Sequence, residues 1–293
     1  MKWAIELKIL LAGCGDIAQR IPPNLPEAHH FFGLKRSPTE LVHGSTPLVG
    51  DIRDNGYLDT VFEEGFDVVV ATLTPDSMSE EGYQKAYVDS SAALALAISR
   101  AVYKPKLVIW VSSTSVYGQN MGAWVDEDCE ATFTSFSGQA LRKAEETILA
   151  APLAASCTSV VVRFSGIYGP GRTRMLDQVL AGVGCTKQPE QWSNRIHSED
   201  CAAVIAHLIL LNEQDKSLLP IYVATDCQPV TLYEVRHWLA AQLNVSLTAK
   251  PTSSRAARRC SNQKLLDSGY KFKFPTYREG YLALIEELKS PQS

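Results

Sequence analysis

The sequence is short of several features that mark particular classes of protein. Its seven cysteines are irregularly spaced and form no Cys-x-x-Cys pair, so neither a disulfide framework nor a metal site is expected. The net charge of -4 does not suit a nucleic-acid-binding domain. No apolar run is long enough to cross a bilayer, and MKWAIELK does not lead into a signal peptide. We therefore expect a cytoplasmic protein with reduced, mostly buried thiols and neither a nucleic-acid nor a membrane partner.

The sequence does contain an alternation of apolar runs and helical segments. Hydrophobic residues make up 45% and charged residues 20% of the 293 residues, which is typical of a globular protein. Continuous apolar runs indicate strands buried on both faces of a parallel sheet, and there are five: KILLAG (8–13), HFFGLKR (30–36), FDVVVATL (66–73), KLVIWVSS (106–113) and TSVVVRFSG (158–166). Helical candidates at 16–21, 79–101 and 138–150 lie between them. The pattern predicts an α/β fold with a doubly wound, Rossmann-type parallel sheet.

The pattern changes after Gly169. Helical segments at 200–211, 232–243 and 278–288 surround a single predicted strand at 220–225. We predict a first domain at 1–168 and a smaller C-terminal α+β region at 169–293. No linker rich in glycine, proline or serine separates them, so we expect the two regions to pack together around a cleft.

A glycine turn follows the first predicted strand, where residues 13–18 read GCGDIA, a G-x-G-x-x-A pattern. Gly13 permits a tight turn, Gly15 lets a pyrophosphate approach the backbone, and a small residue at 18 lets the helix pack on the strand. The N–H groups at the helix start attract phosphates, so the predicted dinucleotide ligands are Gly13, Cys14, Gly15, Asp16 and Ile17. The alternative is a turn that binds nothing. Two prolines at 22 and 23 predict that the helix is short or kinked.

The end of the second strand selects the cofactor. An acidic residue there accepts a hydrogen bond from the ribose 2′-OH of NAD, whereas arginine suits the 2′-phosphate of NADP. The sequence reads GLKRSP, with Lys35 and Arg36 and no acid. We predict NADP(H), with NAD(H) as the second choice. The alternative is that both cations only cap a solvated strand end.

Four hydroxyl residues at 112–115, SSTS, follow the apolar run VIWV and precede VYG, where they either tie up loop backbone or face a ligand. Together with GCGDIA, GDIRD, RFSGIYGPGR and RIHSEDCA, the stretch VSSTSVYG resembles the extended short-chain dehydrogenase/reductase family. The resemblance covers nearly the whole chain and is closest to an atypical group, the NAD-dependent epimerase/dehydratase-like proteins. The glycine motif departs from the family's usual G-x-x-G-x-x-G, because Ala12 stands at its first glycine and Ala18 at its last.

The resemblance implies a set of further site residues. The segment 1–168 becomes the NAD(P)-binding domain and 169–293 the substrate-binding region. Asp51 and Ile52 would border the adenine, and further cofactor contacts would come from Ala71, Thr72, Leu73, Ser112, Phe164 and Gly166. Ser113 becomes the catalytic hydroxyl that positions the substrate oxygen, with Thr114 as a substrate contact. Tyr117 is a candidate proton donor, although the corresponding family residue is mainly structural.

The catalytic tyrosine and lysine of the family are missing. The family's glutamate, four residues beyond its lysine, sets the register at Glu145, which puts Leu141 at the lysine position and Ser137 at the tyrosine position. Lys143 lies about 200° around the helix from Leu141 and is therefore expected to be a solvated surface lysine. An oxidoreductase or epimerase is predicted, and a non-catalytic NADP(H)-binding sensor or interaction module is the rival function.

Three cationic residues of the second region are predicted to bind the substrate: Arg172, Arg195 and His197. Arginine suits phosphate and carboxylate groups, so we expect a small polar substrate, such as a nucleotide-linked one. The structural alternatives are that Arg195 pairs with Asp200 and that His197 caps the helix beginning near Asp200. The resemblance also implies a homodimer that pairs through the helices at 79–101 and 138–150.

Overall fold

The computed structural model describes residues 6–37, 44–150, 157–250 and 258–289. The chain divides into two compact units. The first consists of Met1–Val116, Phe133–Arg163 and Ala202–Tyr222, and the second consists of Tyr117–Thr132, Phe164–Cys201 and Val223–Ser293. The domain boundary between residues 168 and 169 stays a prediction.

The strands are short and mostly apolar. In chain order they are β1 (Lys8–Ala12), β2 (His30–Lys35), β3 (Thr46–Val49), β4 (Val68–Ala71), β5 (Leu107–Ser113), β6 (Trp124–Val125), β7 (Thr158–Phe164), β8 (Gly166–Tyr168), β9 (Trp192–Ser193), β10 (Arg195–His197), β11 (Ile221–Ala224), β12 (Val230–Thr231) and β13 (Arg259–Cys260).

Seven of these strands form one sheet, in the order β11-β7-β5-β4-β1-β2-β3. The pairs β1–β2, β1–β4, β2–β3 and β4–β5 are parallel. All four residues of β4 are buried, as expected where helices cover both faces of a sheet. The predicted α/β fold is therefore confirmed. β11, predicted from the apolar run at 220–225, adds to this sheet beside β7, and β3 was missed because TPLV is short and mostly exposed.

Helices alternate with the strands. They are α1 (Asp16–Gln19), α2 (Asn55–Phe62), α3 (Glu80–Tyr83), α4 (Ser90–Arg100), α5 (Phe136–Leu149), α6 (Arg174–Leu180), α7 (Ser198–Glu213), α8 (Leu232–Leu243), α9 (Gln263–Asp267) and α10 (Tyr277–Lys289). A π-helical segment, Gln84–Asp89, joins α3 to α4, so the helix predicted at 79–101 has three parts. Within the described ranges, none of the helices combines the length and the apolarity needed to cross a bilayer.

The start and end of each helix follow from local chemistry. α1 has four residues, because Pro22 follows closely and opens a short 3₁₀ turn, Pro22–Asn24. The predicted short first helix is therefore confirmed. The Ser135 hydroxyl accepts the Gly138 N–H at 3.2 Å and caps the start of α5.

The second unit has its own apolar core, in which aromatic rings pack between helices. Tyr168 stacks on Tyr281 with ring centroids 4.4 Å apart, and both are almost fully buried. Side chains from α6, α8 and α10 complete this cluster: Leu176, Val179, Val235, Leu239, Leu284 and Ile285.

Candidate functional site

The glycine turn after β1 is shaped by a position that only glycine suits. Gly13 has φ +78°, and a Cβ there would lie 2.7 Å from Leu73 Cδ2 and 3.0 Å from the Thr72 carbonyl oxygen. The Thr72 hydroxyl donates to the Gly13 carbonyl at 2.8 Å. On the other side, the N–H groups of Gly13 and Cys14 donate to the Leu34 carbonyl at 3.0 and 3.1 Å. The turn is thereby fixed to the ends of β2 and β4.

Gly15 is needed for space rather than for backbone conformation. Its φ of -95° is open to any residue, and the nearest atom to a Cβ there would be the Gly13 carbonyl oxygen at 3.8 Å. The missing side chain therefore leaves an open cradle on the pocket side of the turn. The Gly15 N–H donates to the Gly13 carbonyl at 2.6 Å, so a phosphate here would be bound by groups that follow Gly15.

A pocket in the first unit brings together most of the predicted cofactor residues. β4, β1 and β2 are parallel neighbours, so their carboxyl ends meet at one edge of the sheet. The predicted residues that line the pocket are Gly13, Gly15, Lys35, Arg36, Asp51, Ile52, Thr72 and Leu73. The other predicted cofactor residues at the glycine turn and the end of β4 do not line the pocket. Cys14, Ile17 and Ala71 are buried, and the Asp16 carboxylate accepts the Arg20 Nε–H at 2.8 Å.

Three charged lining residues were missed from the sequence: Arg53, Asp76 and Lys85. Arg53 Nε donates to Asp51 Oδ1 at 2.9 Å, and this pairing holds the pKa of Asp51 below its usual range. With Lys35 and Arg36, the lining carries four cations against two carboxylates, which is a net charge of two positive. Arg53 directly follows the predicted residues Asp51 and Ile52 in GDIRD. No local signal pointed to Asp76, in the loop after β4, or to Lys85, in the π-helical segment.

The hydroxyl run at the end of β5 divides into different roles. Ser112 is 5% exposed, and its hydroxyl donates to Glu145 Oε1 at 2.6 Å. Ser113 is half-buried, and its oxygen accepts the Ser115 N–H at 3.2 Å. Within the described residues, no acceptor is recorded for the Ser113 hydroxyl proton. Thr114 is buried. Of the four hydroxyls, Ser112 ties the strand to α5, and Ser113 keeps a proton to donate.

Glu145 is the centre of a buried polar network that sequence reasoning used only as a register mark. It is fully buried, and Arg163 on β7, 2% exposed, donates to it through Nε at 2.9 Å and through Nη2 at 2.6 Å. Arg142 Nη1 lies 3.4 Å from Glu145 Oε2. One carboxylate therefore joins β5, α5 and β7. The clue in the sequence was a glutamate among the apolar positions of an amphipathic helix.

The three residues of α5 at and near the family's catalytic positions have ordinary surroundings. The Ser137 hydroxyl lies 2.9 Å from the Ser135 hydroxyl, in the first turn of the helix. Leu141 is buried, and Lys143 is exposed to solvent. The structure thus gives Lys143 the surface placement expected of it.

Two predicted cofactor residues and the candidate proton donor belong to the second unit. Tyr117 is 1% exposed, and its hydroxyl donates to the Asp126 carbonyl at 2.6 Å, which favours the structural role. Phe164 ends β7 and is buried. Gly166 begins β8 and donates its N–H to the Asn194 carbonyl at 3.2 Å.

The predicted substrate residues differ in exposure. Arg172 is exposed, in the turn that precedes α6. Arg195 is 3% exposed, and its Nη2 donates to the Ser193 hydroxyl at 2.7 Å. His197 is 2% exposed, and its Nδ1 accepts the Glu199 N–H at 3.3 Å in the first turn of α7. For His197 this geometry favours the alternative of a helix cap.

Asp200 has partners other than Arg195. Its Oδ1 accepts the Tyr270 hydroxyl at 2.7 Å and the Lys273 N–H at 2.8 Å, and its Oδ2 accepts the Phe274 N–H at 2.9 Å. Asp226, which sequence reasoning missed, is a buried carboxylate in the second unit on which the charge of Arg195 acts. It is 1% exposed, and burial raises its pKa to about 7.

The stability of the protein is expected to fall as the pH rises through 7, because of Asp226. Its pKa is raised in the folded state, so the folded protein keeps a proton that the unfolded chain loses near pH 4. This contribution is complete below pH 4 and is lost as the pH rises through 7. Between pH 5 and pH 8, Asp226 should lower the free energy of unfolding of the wild type by about 2–3 kcal/mol. Urea unfolding should show that this decrease is absent in Asp226→Asn. An unfolding free energy that falls between pH 5 and pH 8 by the same amount in Asp226→Asn and in the wild type would contradict this.

A parallel sheet with a glycine turn after its first strand defines the chain as a Rossmann-type protein. The profile of the NAD dependent epimerase/dehydratase family matches residues 19–221, which is more than half of the chain. The protein therefore belongs to this family, and the resemblance seen in its motifs is confirmed. The profile match begins after the glycine turn, the part of the sequence in which the family's usual glycines are replaced.

Solved structures show the same fold over almost the full length. A protein from Methylobacillus flagellatus, described as a NAD-dependent epimerase/dehydratase, is 32% identical with a TM-score of 0.81, over 98% of this chain and 100% of that one. Human epimerase family protein SDR39U1, solved with NADPH, is 19% identical with a TM-score of 0.75, over 96% and 99%. MoeE5, solved with UDP-glucuronic acid and NAD, is 18% identical with a TM-score of 0.77, over 96% and 98%. No curated protein matches the chain.

Proposed function

We propose that the protein binds NADP(H) at the glycine turn and acts as an oxidoreductase or epimerase on a small polar substrate. The observation that carries the proposal is the pocket beside Gly15, open at the turn and lined by four cations. The family description, NAD-dependent epimerase/dehydratase, supports the class of cofactor. Two structures of the same fold hold NADPH or NAD, and one of them also holds the nucleotide sugar UDP-glucuronic acid.

The lining of the pocket fits a dinucleotide. Groups that follow Gly15 would bind the pyrophosphate, and Asp51 and Ile52 would border the adenine. Lys35 and Arg36 end β2 without a neighbouring acid in the sequence, and a 2′-phosphate there would meet a positive lining. Thr72 and Leu73 would lie under the nicotinamide half. This arrangement is why we propose NADP(H) rather than NAD(H).

Ser113 would orient the substrate in this reaction. When bound, the nicotinamide ring supplies or accepts a hydride at a carbon of the substrate. The Ser113 oxygen already accepts the Ser115 N–H, so its own proton would be donated to the substrate oxygen. A fixed donor of this kind stabilises the charge that develops on an oxygen in the transition state.

The rival function is a non-catalytic NADP(H)-binding sensor or partner-binding module. The observation that favours this function is on α5. Ser137 and Leu141 stand there at the positions where the family carries its tyrosine and lysine. Neither of them titrates, and proton transfer commonly contributes about 10²–10⁴ in rate. Tyr117 is committed to a backbone carbonyl. We therefore expect turnover to be slow if it occurs, and the proposed homodimer would serve either function.

Replacing Ser113 by alanine distinguishes the two functions. For the enzyme, Ser113→Ala should lower kcat/KM for NADPH-dependent reduction by about 10²-fold and leave the Kd of NADPH unchanged. Ser115→Ala is the matched control, because it keeps the N–H that Ser113 accepts. The assay would use a panel of sugar nucleotides and small carbonyl compounds. Equal loss in both variants would contradict the role of Ser113, and binding of NADPH without turnover of any substrate would favour the sensor.

A further inference from the structure

An ion pair joins the loops on either side of the glycine turn. Arg36, which follows β2, donates through Nη1 to Asp76 Oδ2 at 2.6 Å and through Nη2 to Asp76 Oδ1. Asp76 lies in the loop that follows β4, and β2 and β4 are the two neighbours of β1 in the sheet. Both side chains line the same pocket as Gly13 and Gly15. The pair therefore lies at the cofactor pocket, and not on an unrelated surface.

The Arg36–Asp76 pair has the geometry of phosphate recognition. Two N–H groups of one guanidinium donate to two oxygens of one anion, and arginine holds carboxylates and phosphates with the same fork. One fork cannot hold both anions at once. A phosphate that takes these two N–H groups must displace the carboxylate.

We propose that Asp76 competes with the 2′-phosphate of NADP(H) for Arg36 and thereby sets the selectivity between NADP(H) and NAD(H). This inference rests on the proposed use of NADP(H). Asp76 would reduce the affinity for the phosphorylated cofactor, while NAD(H), which has no 2′-phosphate, would leave the pair intact. The selectivity of the wild type is then smaller than Lys35 and Arg36 alone would give.

The charges and the exposure of the pair fit such an exchange. The hydrogen bonds from Arg36 hold the pKa of Asp76 below its usual range, so the carboxyl group is charged near neutral pH. The side chains of Arg36 and Asp76 are 52% and 61% exposed, and pairs with that exposure are weak. An incoming phosphate can therefore replace the carboxylate without opening the fold.

The test is a calorimetric titration of the full chain and of Asp76→Asn with NADPH and, separately, with NADH. We expect the variant to bind NADPH about fivefold more tightly, since an exposed pair of this kind opposes binding by about that factor. The Kd of NADH should change less than about twofold. The readout is the Kd of NADH divided by the Kd of NADPH, which should rise in Asp76→Asn and does not depend on turnover.

Glu81→Gln is the matched control. Glu81 pairs with Lys85, which lines the same pocket, and the variant removes the same charge from a pair at 2.5 Å. Because Lys85 is not at the end of β2, this variant should leave the ratio of the Kd of NADH to the Kd of NADPH unchanged. If Glu81→Gln raises this ratio as much as Asp76→Asn does, the effect comes from the overall electrostatic potential of the pocket and the inference is wrong.

The remaining outcomes separate the inference from the proposed function. If the wild type prefers NADPH and Asp76→Asn leaves the ratio unchanged or lowers it, Asp76 is not a competitor and only this inference is overturned. If the wild type prefers NADH and Asp76→Asn weakens NADH, the carboxylate accepts a hydrogen bond from the ribose 2′-OH. In that case the proposed use of NADP(H) is overturned as well.

Discussion

Replacing Glu145 by alanine is expected to lower the free energy of unfolding by about 3–5 kcal/mol. The change leaves Arg163, 2% exposed, without the carboxylate that its Nε and Nη2 bond at 2.9 and 2.6 Å. A buried guanidinium cannot lose its proton, so its charge persists in the folded state after this carboxylate is removed. The substitution also removes the carboxylate that accepts the Ser112 hydroxyl at 2.6 Å, and Ser112 is the residue next to Ser113.

The measurement is urea unfolding of the wild type and of matched variants. Glu146→Ala is the control, because the side chain of Glu146 is 59% exposed. Among the described residues, its ion-pair partner is the half-buried Arg142, at 3.3 Å. That control should cost less than about 0.5 kcal/mol. If Glu145→Ala does not fold, Glu145→Gln keeps the shape and should still lose more than about 1 kcal/mol. A loss in Glu145→Ala no larger than in Glu146→Ala would show that the network does not hold β5, α5 and β7 together.

Replacing Gly13 by alanine is expected to weaken cofactor binding and to destabilise the turn. A Cβ at φ +78° would lie 2.7 Å from Leu73 Cδ2 and 3.0 Å from the Thr72 carbonyl oxygen, so the turn must move away from β4. We expect a stability loss of about 1–3 kcal/mol from the backbone strain. Calorimetric titration with NADPH should show a Kd raised about 10-fold or more, because the moved turn no longer fits the pyrophosphate.

Two further glycine variants separate the reasons for that loss. Gly15→Ala meets no atom closer than 3.8 Å and has an ordinary φ, so the variant should fold like the wild type and still lose affinity for NADPH. Gly269→Ala has φ +93° and nothing within 4 Å, so it should lose stability and keep its affinity. Full affinity in Gly15→Ala would mean that the dinucleotide does not approach the turn at this point.

The parts of the fold that could be predicted were those set by local chemistry. Continuous apolar runs such as VVVA at 68–71 predicted buried parallel strands, and Pro22 predicted an early end of α1. The π-helical segment Gln84–Asp89 could not be predicted, because its six residues are too few to show an apolar period of their own. β3 was missed because an exposed edge strand carries little apolar pattern.

The site was predictable where residues follow strands and unpredictable where they meet from distant segments. Lys35 and Arg36 were found because the carboxyl ends of parallel strands form the pocket edge, whereas Asp51 came from the resemblance of GDIRD to the family. Asp76 pairs with Arg36 across 40 residues, which no local pattern reveals. His197 was predicted as a substrate contact, with a helix cap as the alternative, and its burial against the first turn of a helix favours the cap.

The most direct test of the account is a calorimetric titration of the cofactor-free protein with NADPH and, separately, with NADH. We expect NADPH to bind with a micromolar Kd and NADH to bind more weakly, because Lys35 ends β2, Arg36 follows it and the pocket lining is positive. Tighter binding of NADH would contradict the choice of NADP(H). Binding of neither would contradict the central claim that the glycine turn of this chain holds a dinucleotide.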